Sequence, residues 1–254
     1  MPLVTFDFHN TLATCDRWFQ LEIAQLASAV YAALLPDTLP PERRVSDDVL
    51  QRAYREVRKA VITSGREQDA LASVMSAFAM EKIAFDPLRV SETIDRLMHD
   101  AASDVAPVPG APELVRALRD RGYTLGVVSS AVYPPFLEWA LESFGIADCF
   151  AFVVTSASAG VYKSDPDIYR QALTLAGSPP ATAVHIGDSP RWDATTAKVA
   201  GMRTILLETN TADRYHDLRP LLPPDLVLES FVDAAPRVVA FLQESLTPVV
   251  EGAS

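Results

Sequence analysis

The chain opens on an apolar run, Leu3-Val4-Thr5-Phe6, that reaches Asp7 and continues as Phe8-His9-Asn10-Thr11-Leu12. β-Branched and aromatic residues in unbroken succession read as a buried strand. After Leu12 the period changes: Phe19, Ile23, Leu26, Val30 and Leu34 recur at three- and four-residue steps, one face of a helix. Pro36, Pro40 and Pro41 bring that helix to an end. Further helices are predicted over about 46–64, 68–83 and 88–103, with Asp86-Pro87 punctuating the last pair. No convincing strand falls between about 13 and 106.

The run Pro107-Val108-Pro109-Gly110-Ala111-Pro112 reads as a boundary, and beyond it strands alternate with helices. A helix at about 111–121 leads to the strand Thr124–Val128, and one at about 134–144 leads to Phe150–Val154. A helix opening with Asp165-Pro166 leads to Ala183–Ile186, and one at about 191–200 to Thr204–Leu207. A late strand at Leu226–Leu228 and a helix to about Leu242 follow, and the tail Thr247–Ser254 reads as disordered. This rhythm predicts an α/β fold: a Rossmann-like three-layer core with a mostly parallel sheet and right-handed crossovers. The core is discontinuous, residues 1–12 plus about 107–254, with a helical cap over about 13–106 inserted after the first strand. There is no internal repeat.

Composition narrows the class. The 254 residues are 49% apolar, yet no run is long enough to span a bilayer. Acids outnumber bases 33 to 22, and the net charge of −11 argues against a nucleic-acid binder, which needs a basic face. Two cysteines, Cys15 and Cys149, are too few for a disulfide framework, so a reducing compartment is the default. The chain opens directly into its first strand with no room for a leader, so a cytoplasmic location is expected.

Four strand-end segments carry candidate chemistry. They are Asp7 with Thr11; Val127-Val128-Ser129-Ser130; Gly160-Val161-Tyr162-Lys163-Ser164-Asp165-Pro166; and Ile186-Gly187-Asp188-Ser189-Pro190-Arg191-Trp192-Asp193. Taken singly, each has a plain structural reading. Asp7 is a turn or N-cap residue, Ser129-Ser130 a helix cap, Lys163 a solvated lysine and Asp188 a turn residue. Their recurrence at successive strand ends is what converges them on one sheet edge, as a shared site requires.

In this order the segments resemble the motifs of the haloacid dehalogenase (HAD)-like hydrolase superfamily, helical-cap subgroup. The resemblance implies a Mg²⁺-dependent phosphohydrolase acting on a small phosphate monoester. Asp7 is then the nucleophile and a metal ligand, Asp188 the second carboxylate ligand, and the His9 backbone carbonyl a third. Ser129, Ser130, Thr11 and Lys163 bind substrate, Lys163 clamping a phosphoryl oxygen, and Asp193 orients Lys163 or supports the metal shell.

One departure matters. Most phosphatases of the superfamily carry a second aspartate two residues after the first, where this chain has His9. Imidazole titrates near neutrality and is able to protonate the leaving alkoxide and activate water; the alternative is that His9 only packs. Two other readings stay open. The hydrolytic dehalogenases carry an aromatic residue at the His9 position and need no metal, and Trp192-Asp193-Ala194-Thr195 is similar to their fourth motif. Against them stand Asp188 and a serine, Ser130, where they place an asparagine. A HAD-like binding protein without turnover is the second alternative. Phosphonate cleavage, which would use a cap lysine such as Lys59 or Lys82, ranks below both. In the cap, Arg17 and Trp18 have two readings of equal weight, residues lining an entrance or the start of an amphipathic helix. Arg43, Arg44, Arg52, Arg55, Arg58 and Arg66 read as solvated faces with acidic partners such as Glu56 and Glu67. His185 reads as a packing residue within its strand.

Overall fold

In a computed structural model of the chain, the first strand, β1 (Leu3–Phe6), lies at the heart of the sheet with all four residues buried. The structure describes residues 2–35, 44–208 and 221–246. The chain leaves β1 through a turn into a two-residue strand, β2 (Ala13–Thr14). It then runs through α1 (Asp16–Gln20), a π-helical stretch Leu21–Gln25, α2 (Leu26–Leu34), α3 (Asp47–Ser64), α4 (Ala70–Met80) and α5 (Pro87–Ala101). It returns on β3 (Ala106–Pro107), antiparallel to β2, so departure and return share one short ribbon.

From there the chain alternates α6 (Ala111–Arg119), β4 (Thr124–Ser129), α7 (Pro135–Ser143), β5 (Phe152–Thr155), α8 (Ser156–Ala159), α9 (Asp167–Ala176), β6 (Ala183–Gly187), a π-helical stretch Pro190–Thr196, α10 (Ala197–Val199) and β7 (Arg203–Leu207). β8 (Leu226–Leu228) and α11 (Ala235–Leu246) complete it. The six long-range strands are all parallel, in the order β5-β4-β1-β6-β7-β8. This is the Rossmann-like α/β architecture that the strand–helix rhythm implies.

Alternation along the strands gives the layers. Val4, Phe6 and Val127 join a large core on one face, continuous with the interior of the helical segment through Trp18, Leu50, Tyr54 and Phe78. Leu3, Val128 and Val154 face the opposite way, onto Ile168, Tyr169 and Ala172 of α9. A parallel sheet covered on both faces needs such near-continuous apolar strands.

Several expectations shift. The strand expected from Phe150 begins at Phe152. The apolar stripe from Phe19 to Leu34 is two helices joined by a π-helical stretch, and Ile23, on that stretch, is 40% exposed. The helix expected over 191–200 is mostly π-helical. The β2–β3 ribbon and α8 escape a periodicity reading because they span two to four residues. Pro36, Pro40, Pro41, Arg43 and the tail 247–254 lie outside the described residues.

One close approach holds the edge of the sheet. A Cβ on Gly126 would lie 2.3 Å from the ring of Phe152 on the neighbouring strand. Gly126→Ala is therefore expected to destabilise the fold by about 1–3 kcal/mol through overpacking. Phe152→Leu in the same chain should restore part of that loss. Urea unfolding of the two variants checks this; a single variant as stable as the parent refutes it.

Candidate active site

The carboxyl ends of β1, β4 and β6 meet at one edge of the sheet, where open α/β folds place their sites. Register does the placing. β1 pairs with β6 through Phe6 and Ile186, and the amide of Asp7 extends that ladder by donating to the Ile186 carbonyl at 2.8 Å. Asp7 thus sits beside the Gly187-Asp188 turn. The loop beyond it closes with amide bonds from Leu12 and Ala13 to the Phe8 carbonyl, and Asn10 takes the left-handed conformation at φ 60°. Asparagine tolerates that region better than most residues.

Lys163 reaches in from the loop before α9 and is buried. Its Nζ lies 2.5 Å from Asp7 Oδ1 and 2.7 Å from Asp193 Oδ1. Asp193 is held from several sides. His185 Nε2 approaches Oδ1 at 3.1 Å, the Tyr169 hydroxyl lies 3.4 Å from the same atom, and the Ser189 amide donates to Oδ2 at 2.9 Å. Burial pushes the Asp193 carboxyl up, but Lys163 and then His185 outweigh it and hold the group well below the usual carboxylate range. An ionised Asp193 only accepts, so Nε2 carries the His185 proton and Nδ1 accepts from the Thr5 hydroxyl at 2.8 Å. Burial lowers His185 further, which keeps the ring neutral. For Lys163, burial opposes the charge, but Asp193 and Asp7 overcome it and raise the ammonium above its ordinary range.

The other carboxyls are less well matched. Burial pushes Asp7 up to about 6 against the pull of Lys163. Asp188 rises well above the ordinary range through burial and the neighbouring Asp7 and Asp193, with an Asn10 hydrogen bond working the other way. Asp7, Asp188 and Asp193 each offer a carboxylate oxygen within 4.8 Å of the others. Fully ionised, three carboxylates against one ammonium leave a charge of −2, and the donors are all hard oxygens. That is the donor chemistry a divalent cation such as Mg²⁺ takes.

These groups line one end of a cavity of 640 Å³, together with His9, Ser129 and Ser130. The His9 ring stacks on Phe19 at 4.1 Å between centroids, and its Nε2 is 4.0 Å from Asp16 Oδ1. Thr11 is fully buried and outside the cavity wall, its hydroxyl without a hydrogen-bond partner. Trp18 lines the cavity while stacked on Phe136; Arg17 instead donates to the Asp100 carbonyl, away from it. Part of the wall is a face of α3 that includes Arg52, Arg55, Arg58 and Lys59. Lys59 is 74% exposed at its side chain and Lys82 lies outside the cavity wall, so neither has the buried setting that lowers a lysine for Schiff-base chemistry.

Two site-bordering residues escaped the sequence reading. His185 reads there as packing, but it fixes the carboxylate that holds Lys163. Glu22 is buried on the cavity wall, accepting from the amides of Val132 at 2.9 Å and Tyr133 at 3.2 Å, and burial pushes its carboxyl up to about 8. The signal for it was an acid three residues after Phe19, on the apolar stripe itself.

Comparison with known proteins agrees with this geometry. The family model described as haloacid dehalogenase-like hydrolase matches residues 1–201. This chain belongs to that family. It is therefore a hydrolase by family. Among relatives, haloacid dehalogenase-like hydrolase domain-containing protein 3 of Mus musculus is 35% identical over 215 residues, 82% of each chain. The alignment with the Xenopus laevis protein of that name is 34% identical and spans only 58% of either chain. A glyceraldehyde 3-phosphate phosphatase of Methanopyrus kandleri is 27% identical over 72% of this chain and 84% of its own. Among solved structures, a 2-haloacid dehalogenase from Pseudomonas syringae pv. Tomato superposes with a TM-score of 0.68 at 25% identity, covering 95% of this chain and 99% of that one. Among the described residues, no helix of this HAD-like hydrolase is long and apolar enough to cross a membrane.

The His185 network has a measurable consequence. His185→Leu leaves the Thr5 hydroxyl and one lone pair of Asp193 buried without their partner, and should cost about 1–3 kcal/mol in urea unfolding. His185→Gln, which keeps a donor, should lose less. Equal stability of the leucine variant and the parent would show that the bonds are incidental.

Proposed function

We propose that this chain is a Mg²⁺-dependent phosphohydrolase that cleaves a small phosphorylated metabolite through an aspartyl-phosphate on Asp7. The observation that carries this reading is Asp188, a second, half-buried carboxyl set beside the nucleophile, where its charge is unfavourable without a cation. Asp7 and Asp188, with the His9 carbonyl, would hold Mg²⁺, which when bound neutralises charge on the phosphoryl group and relieves its repulsion from the attacking carboxylate.

The remaining steps belong to the chain. Lys163 orients Asp7 through Oδ1 and, with Ser129 and Ser130, binds phosphoryl oxygens. Asp7 attacks phosphorus, the phosphorus–oxygen bond to the leaving group breaks, and the alkoxide takes a proton from the His9 imidazole. His9 then removes a proton from the water that hydrolyses the acyl phosphate, regenerating Asp7. Acid–base help of this kind is worth about 10²–10⁴ in rate. We place residues 13–106 as a cap that closes over this chemistry, and the protein in the cytoplasm.

A second reading keeps the Asp7 nucleophile and exchanges phosphorus for carbon. It is favoured by the match to a 2-haloacid dehalogenase structure and by Trp192-Asp193-Ala194-Thr195. Asp188 and Ser130 oppose it.

Phosphate release from p-nitrophenyl phosphate should depend on Mg²⁺ and stop with excess chelator, and Asp7→Asn should abolish it while leaving the unfolding transition in place. No release with metal, combined with halide release from a haloacid without it, would transfer the assignment to the second reading. His9→Ala should slow alkyl phosphates by about 10²–10⁴ and aryl phosphates, whose leaving groups need little protonation, far less. Equal losses on both substrate types would remove His9 from the acid–base role.

A further inference from the structure

The part of the cavity wall that α3 supplies is cationic in a specific way. Arg52, Arg55 and Lys59 recur at three- and four-residue steps, so one exposed stripe of α3 faces the cavity. Most cations on the cavity wall have an acid. Lys163 has Asp7 and Asp193; Arg58 is buried in a bidentate pair with Glu67 at 2.6 and 3.0 Å; Lys59 lies 4.0 Å from Glu56. Arg52 and Arg55 have no acid within ion-pair distance among the described residues. The chain carries 33 acids for 22 bases, so a shortage of partners does not explain this. Of the two acids on the cavity wall outside the strand-end cluster, Glu22 is engaged by the amides of Val132 and Tyr133, and Glu56 lies 4.0 Å from Lys59.

The cavity therefore holds carboxylates and Lys163 at the strand ends and, on α3, two guanidinium groups without an ion pair; the C-terminal end of α3 meets the Lys163 loop through Ile62 and Ser164, and Arg52 lies ten residues, about 15 Å of helix, before Ile62. Like charges clustered along a cleft concentrate the opposite charge, and guanidinium matches carboxylate and phosphate in a two-point geometry. We propose that Arg52 and Arg55 form a second anion subsite, and that the substrate is a phosphate ester whose leaving group carries its own carboxylate or second phosphate. This rests on the phosphohydrolase reading: the ester phosphate occupies the Asp7 end while the distal anion reaches α3. The sequence reading of these arginines as solvated holds for Arg52 and Arg55, which lack only the expected acidic partner, whereas Arg58 has its acid, Glu67, but is buried.

The test is a matched series of ω-carboxyalkyl phosphates and plain alkyl phosphates of increasing chain length, assayed with Mg²⁺ beside p-nitrophenyl phosphate. The carboxylate should raise kcat/KM at least tenfold at one length or more. In Arg52→Gln/Arg55→Gln that advantage should shrink at least tenfold, and Arg52→Lys/Arg55→Lys should retain part of it. Both side chains are solvent-exposed, so the variants should fold, which their circular dichroism and unfolding midpoints will report. Turnover of both series with no advantage at any length overturns the subsite and leaves the phosphohydrolase standing. An advantage that survives undiminished in the glutamine variant overturns the assignment to these arginines. Absence of turnover on every ester, p-nitrophenyl phosphate included, overturns the phosphohydrolase reading and the subsite with it.

Discussion

An ammonium group buried between two carboxylates, with a third carboxylate at hand, is the contact to which the strand ends are fitted. Removing such ions from water costs several kcal/mol each, and only close, well-bonded pairing offsets that cost. Lys163 pairs with Asp7 and Asp193, which takes two of its three N–H donors, and no hydrogen bond from it to Asp188 is formed among the described residues. The result is a graded set. Asp193, bonded by Lys163, His185 and the Ser189 amide, is held ionised; Asp7 is intermediate; Asp188 is driven toward its neutral form. Close packing enforces the arrangement. A Cβ on Gly187 would fall 2.3 Å from the Asp193 carboxyl carbon, so the strand can approach that carboxylate only as glycine.

The helical segment acts on the same contact from above. The Tyr162 amide donates to the Gly65 carbonyl at 2.8 Å, the Glu67 amide to the Gly160 carbonyl at 3.0 Å, and the Ser164 hydroxyl to the Ile62 carbonyl at 2.9 Å. These bonds flank Lys163 on both sides along the chain. The loop that carries the lysine is thus tied to the end of α3, the helix that forms the cationic wall. Glu22 makes a second tie, to the amides at the start of α7. The lysine that pairs with Asp7 and the helix that lines the cavity are thus held by the same set of bonds.

How much of this was legible in the sequence follows from the range of each interaction. The parallel sheet was legible because Leu3–Phe6, Thr124–Val128, Ala183–Ile186 and Thr204–Leu207 are apolar runs separated by helix-length segments. Asp7 and Asp188 were legible because a strand end fixes where such a residue points, Lys163 and Asp193 because their segments resemble the superfamily's motifs, and the structure does gather the four. What stayed hidden depends on contacts across the chain. His185 looks like any buried strand residue until Thr5 and Asp193, 180 and 8 residues away, are seen on its two nitrogens. The break at Leu21–Gln25 was hidden because a π-helical stretch keeps the apolar stripe while turning Ile23 outward. Arg52 and Arg55 carry no local mark that separates them from Arg44 or Arg66; only the cavity they face does.

The choice between phosphorus and carbon as electrophile comes back to charge. A carbon–halogen bond is itself uncharged, so a carboxylate attacking it needs no cation at the reacting atom; a second carboxyl beside the nucleophile would be a cost with no return. A phosphate ester carries up to two negative charges, and an anionic nucleophile reaches it only if those charges are offset. Lys163 supplies one positive charge, already shared between Asp7 and Asp193. The further offset must come from a cation, and Asp188 is the carboxyl with spare capacity to bind one. The groups that are unfavourable in the protein alone therefore suit the proposed phosphoryl substrate. The same logic extends to α3, where two guanidinium groups left without acids in an acidic chain are matched by an anionic leaving group.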